Sequence, residues 1–257
     1  MTKTLSIAVL ALAIAACQSK KPETEAAADT TATDTTAAAP APAPAATLTD
    51  AQKAEGWKLL FDGQTTNGWK FYKDLPNTTW EVVDGTLHCK ANVEGQEAKR
   101  SDLMTTETFE NFDLMFDWKI SPGGNSGVMF RVTEEFDRPY LTGPEYQVID
   151  DKGYNGELKD SQLTGSNYDM HPAANAKPNP IGEWNQSRIL VNGNHVEHWL
   201  NGTKVVEYEL ASADWKKRKA ASKWKDAKKY GAEKKGAIDI QDHDHEVWYK
   251  NIMIKTL

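Results

Sequence analysis

The sequence is poor in sulfur, in long apolar runs and in surplus positive charge. Only two cysteines, Cys17 and Cys89, occur in 257 residues. Cys17 belongs to the N-terminal signal described below, so Cys89 has no partner and no intramolecular disulfide is expected. The one long apolar stretch, Leu5 to Ile14, is too short for a bilayer core of about 30 Å. A net charge of −7 argues against a general polyanion binder. No H-E-x-x-H motif or cysteine pair offers a ready metal site. The glycine-rich G-G-N-S-G-V-M-F-R, Gly123 to Arg131, lacks the G-K-[ST] ending of a phosphate loop. No nicotinamide fingerprint occurs either.

The N-terminus has the layout of an export signal. Lys3 is followed by the apolar stretch, and Ala15-Ala16 precede Cys17. L-A-I-A-A-C resembles a bacterial lipoprotein signal, which makes residues 1–16 a removed leader and Cys17 the lipid anchor. Residues 17–47 are rich in Ala, Thr and Pro, with too little apolar bulk to offset chain entropy, and read as a disordered tether. Together they place the remaining domain, residues 48–257, in the bacterial cell envelope, in the periplasm or at the outer-membrane surface.

That domain is dominated by short alternating runs. In F-D-L-M-F-D-W-K-I, Phe112, Leu114, Phe116, Trp118 and Ile120 share one face, as a half-buried strand requires. Asp84-Gly85 and Asn201-Gly202 each supply a type I′ hairpin turn between strand-like runs. Further strands are expected at residues 57–61, 128–132, 146–149, 184–191, 237–241 and 247–254. Cys89, inside the alternating T-L-H-C-K, reads as a packing residue rather than a catalytic thiol. Residues 154–181 read as a long loop, of the kind that is functional or disordered. One helix is expected in the Lys-rich stretch from Ala211 to Tyr230, capped by Ser212, with Trp215 and Trp224 against the sheets and lysines in water. The pattern is an all-β sandwich with one short helical insertion.

Nine tryptophans on an acidic chain lean toward sugar binding, although most are expected in the core. In G-P-E-Y-Q-V-I-D, alternation sets Glu145 and Gln147 side by side, an ionisable group beside a polar positioning group. In Q-D-H-D-H-E, His243 offers an imidazole able to give or take a proton near neutrality.

Seven blocks then fall in order: W-K-L-L-F-D-G-Q-T-T-N-G-W-K, I-S-P-G-G-N-S-G-V-M-F-R, E-Y-Q-V-I-D-D, G-E-W-N, H-W-L-N-G-T-K-V-V, K-K-G-A-I-D-I-Q-D-H and V-W-Y-K-N-I-M-I-K. Together they resemble the 3-keto-disaccharide (3-keto-glucoside) hydrolase family, over residues 57–255. The resemblance implies a concanavalin A-like jelly roll and hydrolysis of glycosides already oxidised at C3. A C3 ketone acidifies the C2 proton, so a base can start a β-elimination that expels the anomeric substituent, and water adds afterwards. It implies Glu145 and His243 as base and acid in an open order. Asn125 and Arg131, the latter on the concave side, would stabilise the enolate or bind sugar. Gln147, Asp150, Asp242, His198 and Asn201 are further substrate-binding candidates. The chain departs from the family pattern at Ala237, Asp239 and Asp244. No cofactor is implied, a structural calcium is left open, and a separate dehydrogenase would make the keto sugar. The competing readings are a non-catalytic lectin-like lipoprotein and a conventional two-carboxylate glycosidase.

Overall fold

A computed structural model describes residues 45–257. The leader, Cys17 and all but the end of the tether therefore lie outside the described residues. After a five-residue helix α1 (Asp50–Ala54), the strands in chain order are β1 (Lys58–Leu59), β2 (Trp69–Phe71), β3 (Trp80–Val83), β4 (Thr86–Cys89), β5 (Leu103–Thr105), β6 (Phe112–Ile120) and β7 (Asn125–Val132). They continue with β8 (Glu145–Ile149), β9 (Asn185–Asn192), β10 (His195–Leu200), β11 (Thr203–Glu209), β12 (Ala237–Ile240) and β13 (Val247–Thr256), with helix α2 (Ala213–Ala221) between β11 and β12.

The strands form two antiparallel sheets. The larger has eight, in the order β11-β10-β9-β6-β13-β4-β3 with β1 added beside β13; the smaller is β2-β5-β12-β7-β8. The apolar face of β6 meets Val128, Phe130, Tyr146, Val148, Ile238 and Ile240 of the smaller sheet in one core. This is the all-β jelly-roll sandwich the sequence implies.

Both expected hairpin turns form, with φ of 47° and 74° at Asp84-Gly85 and 48° and 78° at Asn201-Gly202. Two three-residue strands, β2 and β5, escaped the pattern because so short a run carries almost no alternation. The helix is shorter than expected. Ser212 caps it through Trp215 N–H, but it stops at Ala221. There the Ser222 hydroxyl bonds Lys219 O and receives Trp224 N–H, offering the backbone an alternative to the helix. The chain then turns so that Trp224 as well as Trp215 is buried. The long loop lies along the free edge of β8, with Gly165 N–H donating to Gln147 O and Tyr168 N–H to Glu145 O. An otherwise open strand edge is thereby covered.

Candidate active site on the smaller sheet

The side of the smaller sheet facing away from the core carries an unusual set of side chains. On β12, Ile238 and Ile240 point into the sandwich, so Asp239 and Gln241 point outward by strand alternation, and His243 continues that series. Registers align Asp239 with Met129 and Met129 with Glu145. One row along, Gln241 N–H bonds Gly127 O, and Gly127 faces Gln147. A third row pairs Asn125 with Ile149. Glu145 and Asp239 are thus two corners of one patch, and Gly127 is its centre.

Gly127 decides where the Glu145 carboxylate goes. A Cβ at this position would lie 2.1 Å from Glu145 Oε1, so the glutamate lies across the glycine, over the middle of the patch. Gln147 Nε2 donates to Asn125 Oδ1 at 3.0 Å. With its amide turned over, Gln147 would donate to Glu145 Oε1 at 3.1 Å. Glu145 is 3% exposed, and burial pushes its carboxyl up to about 7 against the opposing pull of Lys223. Lys223 is held over the Tyr168, Trp224 and Tyr140 rings at 4.1, 4.3 and 5.8 Å. Desolvation there brings its ammonium below the ordinary lysine value. The same lysine acts on His243, which burial keeps below the ordinary histidine value and whose Nδ1 is buried without a partner among the described residues.

The structure brings Glu145, Gln147 and Asn125 together on one face, and Lys223 acts on both Glu145 and His243. It sends the other sequence candidates elsewhere. Arg131 was expected on the side of Met129, but a bulge opposite Ala237 to Asp239, with Arg131 at φ 54°, turns it away. Its guanidinium donates to Glu110 O and Gly193 O at 2.8 Å, tying the smaller sheet to loops of the larger. His198 points into the core from β10, bonded to Gly165 O and packed 5.0 Å from the Tyr146 ring. Asn201 serves its own hairpin, accepting Gln186 N–H and donating to Lys177 O and Asn185 Oδ1. Asp150 gathers the N–H groups of Gly123, Lys152 and Gly153. Asp242 is sealed against Arg100 and Thr79 at 2.6 Å each. These five organise the scaffold around the patch.

Sequence reasoning missed Lys223, Tyr168, Asp239 and Gln241. The last two were legible in principle, because Asp239, Gln241 and His243 share one strand parity. Lys223 and Tyr168 arrive from distant loops and carry no local signal. Cys89 is buried and burial raises its thiol far above the ordinary value, which suits packing and not nucleophilic attack. Among the described residues, His195, Glu197 and Glu207 gather closely enough to hold a metal ion. The Lys204 ammonium already bridges both carboxylates, and two carboxylates with an imidazole fit calcium poorly.

Comparison with known proteins shows the family of the chain. A 3-keto-disaccharide hydrolase of Bacteroides thetaiotaomicron is 34% identical over 230 residues, covering 79% of each chain. A 1.70 Å crystal structure from Parabacteroides distasonis, assigned as a glycosyl hydrolase, superposes with a TM-score of 0.76 at 38% identity, over 83% of this chain and 99% of that one. A second structure from the same organism gives 0.59 at 27% identity, over 78% and 99%. Residues 56–255 match the model of the 3-keto-alpha-glucoside-1,2-lyase-like domain, and the chain belongs to that family.

Proposed function

We propose that the protein hydrolyses 3-keto-glycosides by elimination and hydration at the Glu145 patch. The observation that carries this reading is the convergence of a buried carboxyl, two amides, an imidazole and an ammonium on one sheet face. Their protonation order suggests the roles. Glu145 has been pushed up to about 7 and His243 held below the ordinary histidine value, so of the two the carboxyl holds a proton more tightly and the imidazole is the freer base. His243 then removes the C2 proton, and the C–H electron pair becomes the enolate, with its charge on the C3 oxygen. Lys223 and the Asn125 and Gln147 amides are the donors suited to that oxygen. The enolate collapses to a C1=C2 double bond, the C1–O bond breaks, and Glu145 gives its proton to the departing oxygen. Water adds at C1, a proton returns to C2, and both residues recover their initial states. Ordinary two-carboxylate hydrolysis would need no ketone.

The ketone must come from elsewhere, so an oxidoreductase acting on sugar secondary alcohols has to precede this step. Lipidation of Cys17 would hold the domain at the envelope; a Cys17→Ser protein recovered from the membrane fraction would refute that anchor.

Incubation of the purified protein with a glucoside and its 3-keto derivative in deuterated water tests the reaction. Consumption of the keto compound alone, with deuterium appearing at C2, is expected. Cleavage of the unoxidised glucoside, or cleavage without exchange at C2, would overturn the elimination route. Saturable binding without turnover would make the protein a lectin-like receptor.

A further inference from the structure

Two tryptophans on the outward face of the larger sheet are held in the same way, and the reaction proposed above uses neither. Trp57, just before β1, gives its indole N–H to Glu55 Oε2 at 3.2 Å, and Trp199 on β10 gives its own to Glu197 Oε2 at 2.8 Å. A cation lies against each ring. Lys255 Nζ is 5.1 Å from the centre of Trp57, and the Arg188 guanidinium is 5.3 Å from that of Trp199. Neither ring packs in the core. Large rings fixed at a surface, with their N–H groups already bonded, are apolar platforms. Between them lies a cavity of about 420 Å³, bordered by both rings, Asp113, Met115, Gln186 and Arg188. The sheet order explains its width. β10, β9, β6 and β13 are consecutive, so three strand-to-strand steps of about 4.8 Å carry the face from Trp199 to Lys255 beside Trp57. Met115 and Gln186 also border a second cavity of about 260 Å³, so the groove continues toward Asp117 and Asn251.

We propose that this groove is a second, non-catalytic binding site whose ligand is a neutral oligosaccharide of unoxidised pyranose units. A pyranose has apolar C–H faces and a rim of hydroxyls, the complement of indole walls around a polar floor. Charge selects neutrality. Glu55 and Asp113 bring two negative charges to the cavity and Arg188 and Lys255 two positive ones, so neither a polyanion nor a cation is favoured. Donors for the hydroxyl rim are in place. Arg188 gives Nε and Nη2 to Asp113, and its Nη1 has no hydrogen-bond partner among the described residues. The Gln186 side chain is exposed, while its backbone N–H is pinned by Asn201 Oδ1. Both carboxylates of the cavity are engaged, Asp113 by the guanidinium and Glu55 by the Trp57 N–H, so the groove holds sugar without cleaving it. It faces away from the Glu145 patch across the sandwich, so the two sites can be occupied together.

Calorimetry on the purified protein tests the site, with cellohexaose, maltohexaose and laminarihexaose as probes and hexagalacturonate as the acidic control. At least one neutral hexasaccharide should bind, and the acidic one at least about tenfold more weakly. Trp199→Ala should weaken that binding at least about tenfold, and Trp199→Phe, which keeps a ring, should restore most of it. Gln186→Ala, at an exposed position, should weaken it about three- to tenfold. Glu145→Gln should leave oligosaccharide binding unchanged, and neither Trp199→Ala nor Gln186→Ala should alter turnover of methyl 3-keto-glucoside. Thermal melting checks that each variant folds. Should Trp199→Ala not fold, Gln186→Ala decides alone, and an unchanged affinity rejects the site. No binding of any neutral hexasaccharide, tighter binding of the acidic one, or full affinity in a folded Trp199→Ala protein would overturn the proposal. Binding lost on Glu145→Gln would assign the oligosaccharide to the opposite face and reject it equally. A parent that turns over no keto-glycoside would refute the elimination reading and leave this test intact.

Discussion

The outward faces of the two sheets handle charge in opposite ways. On the larger sheet, charged side chains find partners of opposite sign or aromatic rings, as Lys119 and Lys250 do over Trp248 and Trp184. Asp113 on β6 takes both Nε and Nη2 of Arg188 on β9, and that guanidinium lies 5.3 Å from the centre of the Trp199 ring. Lys204 bridges Glu197 and Glu207, and Lys58 holds Glu107. On the smaller sheet, Glu145 and Asp239 are buried with a single lysine acting on Glu145, and just before β5 the half-buried Asp102 has Arg138 acting on it. Burial raises all three carboxyls, and Asp102 reaches about 7 although Asp242 N–H bonds it. One face is arranged for stability and the other holds groups in protonation states that cost stability, as functional sites commonly do.

The sharpest way to break this contrast is at Glu145. Glu145→Gln should lower kcat on a keto-glycoside by about 10²- to 10⁴-fold, the usual worth of one acid or base. The same change should stabilise the fold at high pH. The folded-state value of about 7 lies above the ordinary glutamate value of 4.5. Between these values the unfolded chain binds fewer protons, so stability falls as pH rises through the window. The cost is fully present above about 7 and amounts to roughly 3 kcal/mol at most. Melting curves at pH 5 and pH 8 should show the variant gaining only at the higher value. An unchanged difference between the two would mean that the carboxyl is not raised. With Glu145 as the acid, parent activity should decline as pH rises past about 7; a rising limb there would exchange the roles of Glu145 and His243.

Gly127→Ala probes the same face through geometry alone. The added methyl would overlap Glu145 Oε1, so the carboxylate must leave the centre of the patch. A displacement of this size should cost about 10- to 100-fold in kcat/KM while secondary structure, read by circular dichroism, stays intact. Full activity would show that the carboxylate's position over Gly127 is not the reacting one.

How far these contrasts were legible in the sequence depends on what sets each residue's position. The alternation of β6 and the two hairpin turns are local facts, and they appear where the pattern puts them. Glu145 and Gln147 share a face for the same reason. Arg131 obeyed that alternation in the sequence and broke it in the structure, because an unannounced bulge shifts parity by one residue. His198 and Asp242 look like site residues until the fold supplies Gly165 O and Arg100 as their partners. Lys223 joins Glu145 only because the chain leaves its helix at Ser222 and buries Trp224 under Tyr168 O. Polarity is visible in a sequence, but the partner that makes it structural is set by tertiary contact.

On the larger sheet the expected effects are on stability and fall with exposure. Asp113 is 4% exposed, so Arg188→Ala leaves a buried carboxylate without its cation and should cost about 3 kcal/mol. Denaturant melts would read this as a lower midpoint with an unchanged slope. Replacing both partners with apolar residues of similar volume should recover most of the loss, because the penalty lies in the orphaned charge.

Lys58 and Glu107 complete the comparison from the weak side. Their atoms meet at 2.6 Å, as short as many buried pairs, yet the two side chains remain 43% and 58% exposed. Water screens the attraction, and holding two long side chains in one geometry costs entropy, so a short distance alone gives little stability. Lys58→Ala should therefore change stability by no more than about 0.5 kcal/mol, and less again in high salt. The ammonium also lies 5.0 Å from the Phe109 ring centre, which adds a contact that salt does not screen. A loss that persists undiminished at 1 M salt would assign the effect to that ring, whereas a loss as large as that of Arg188→Ala would show that exposure is the wrong variable for ranking these pairs.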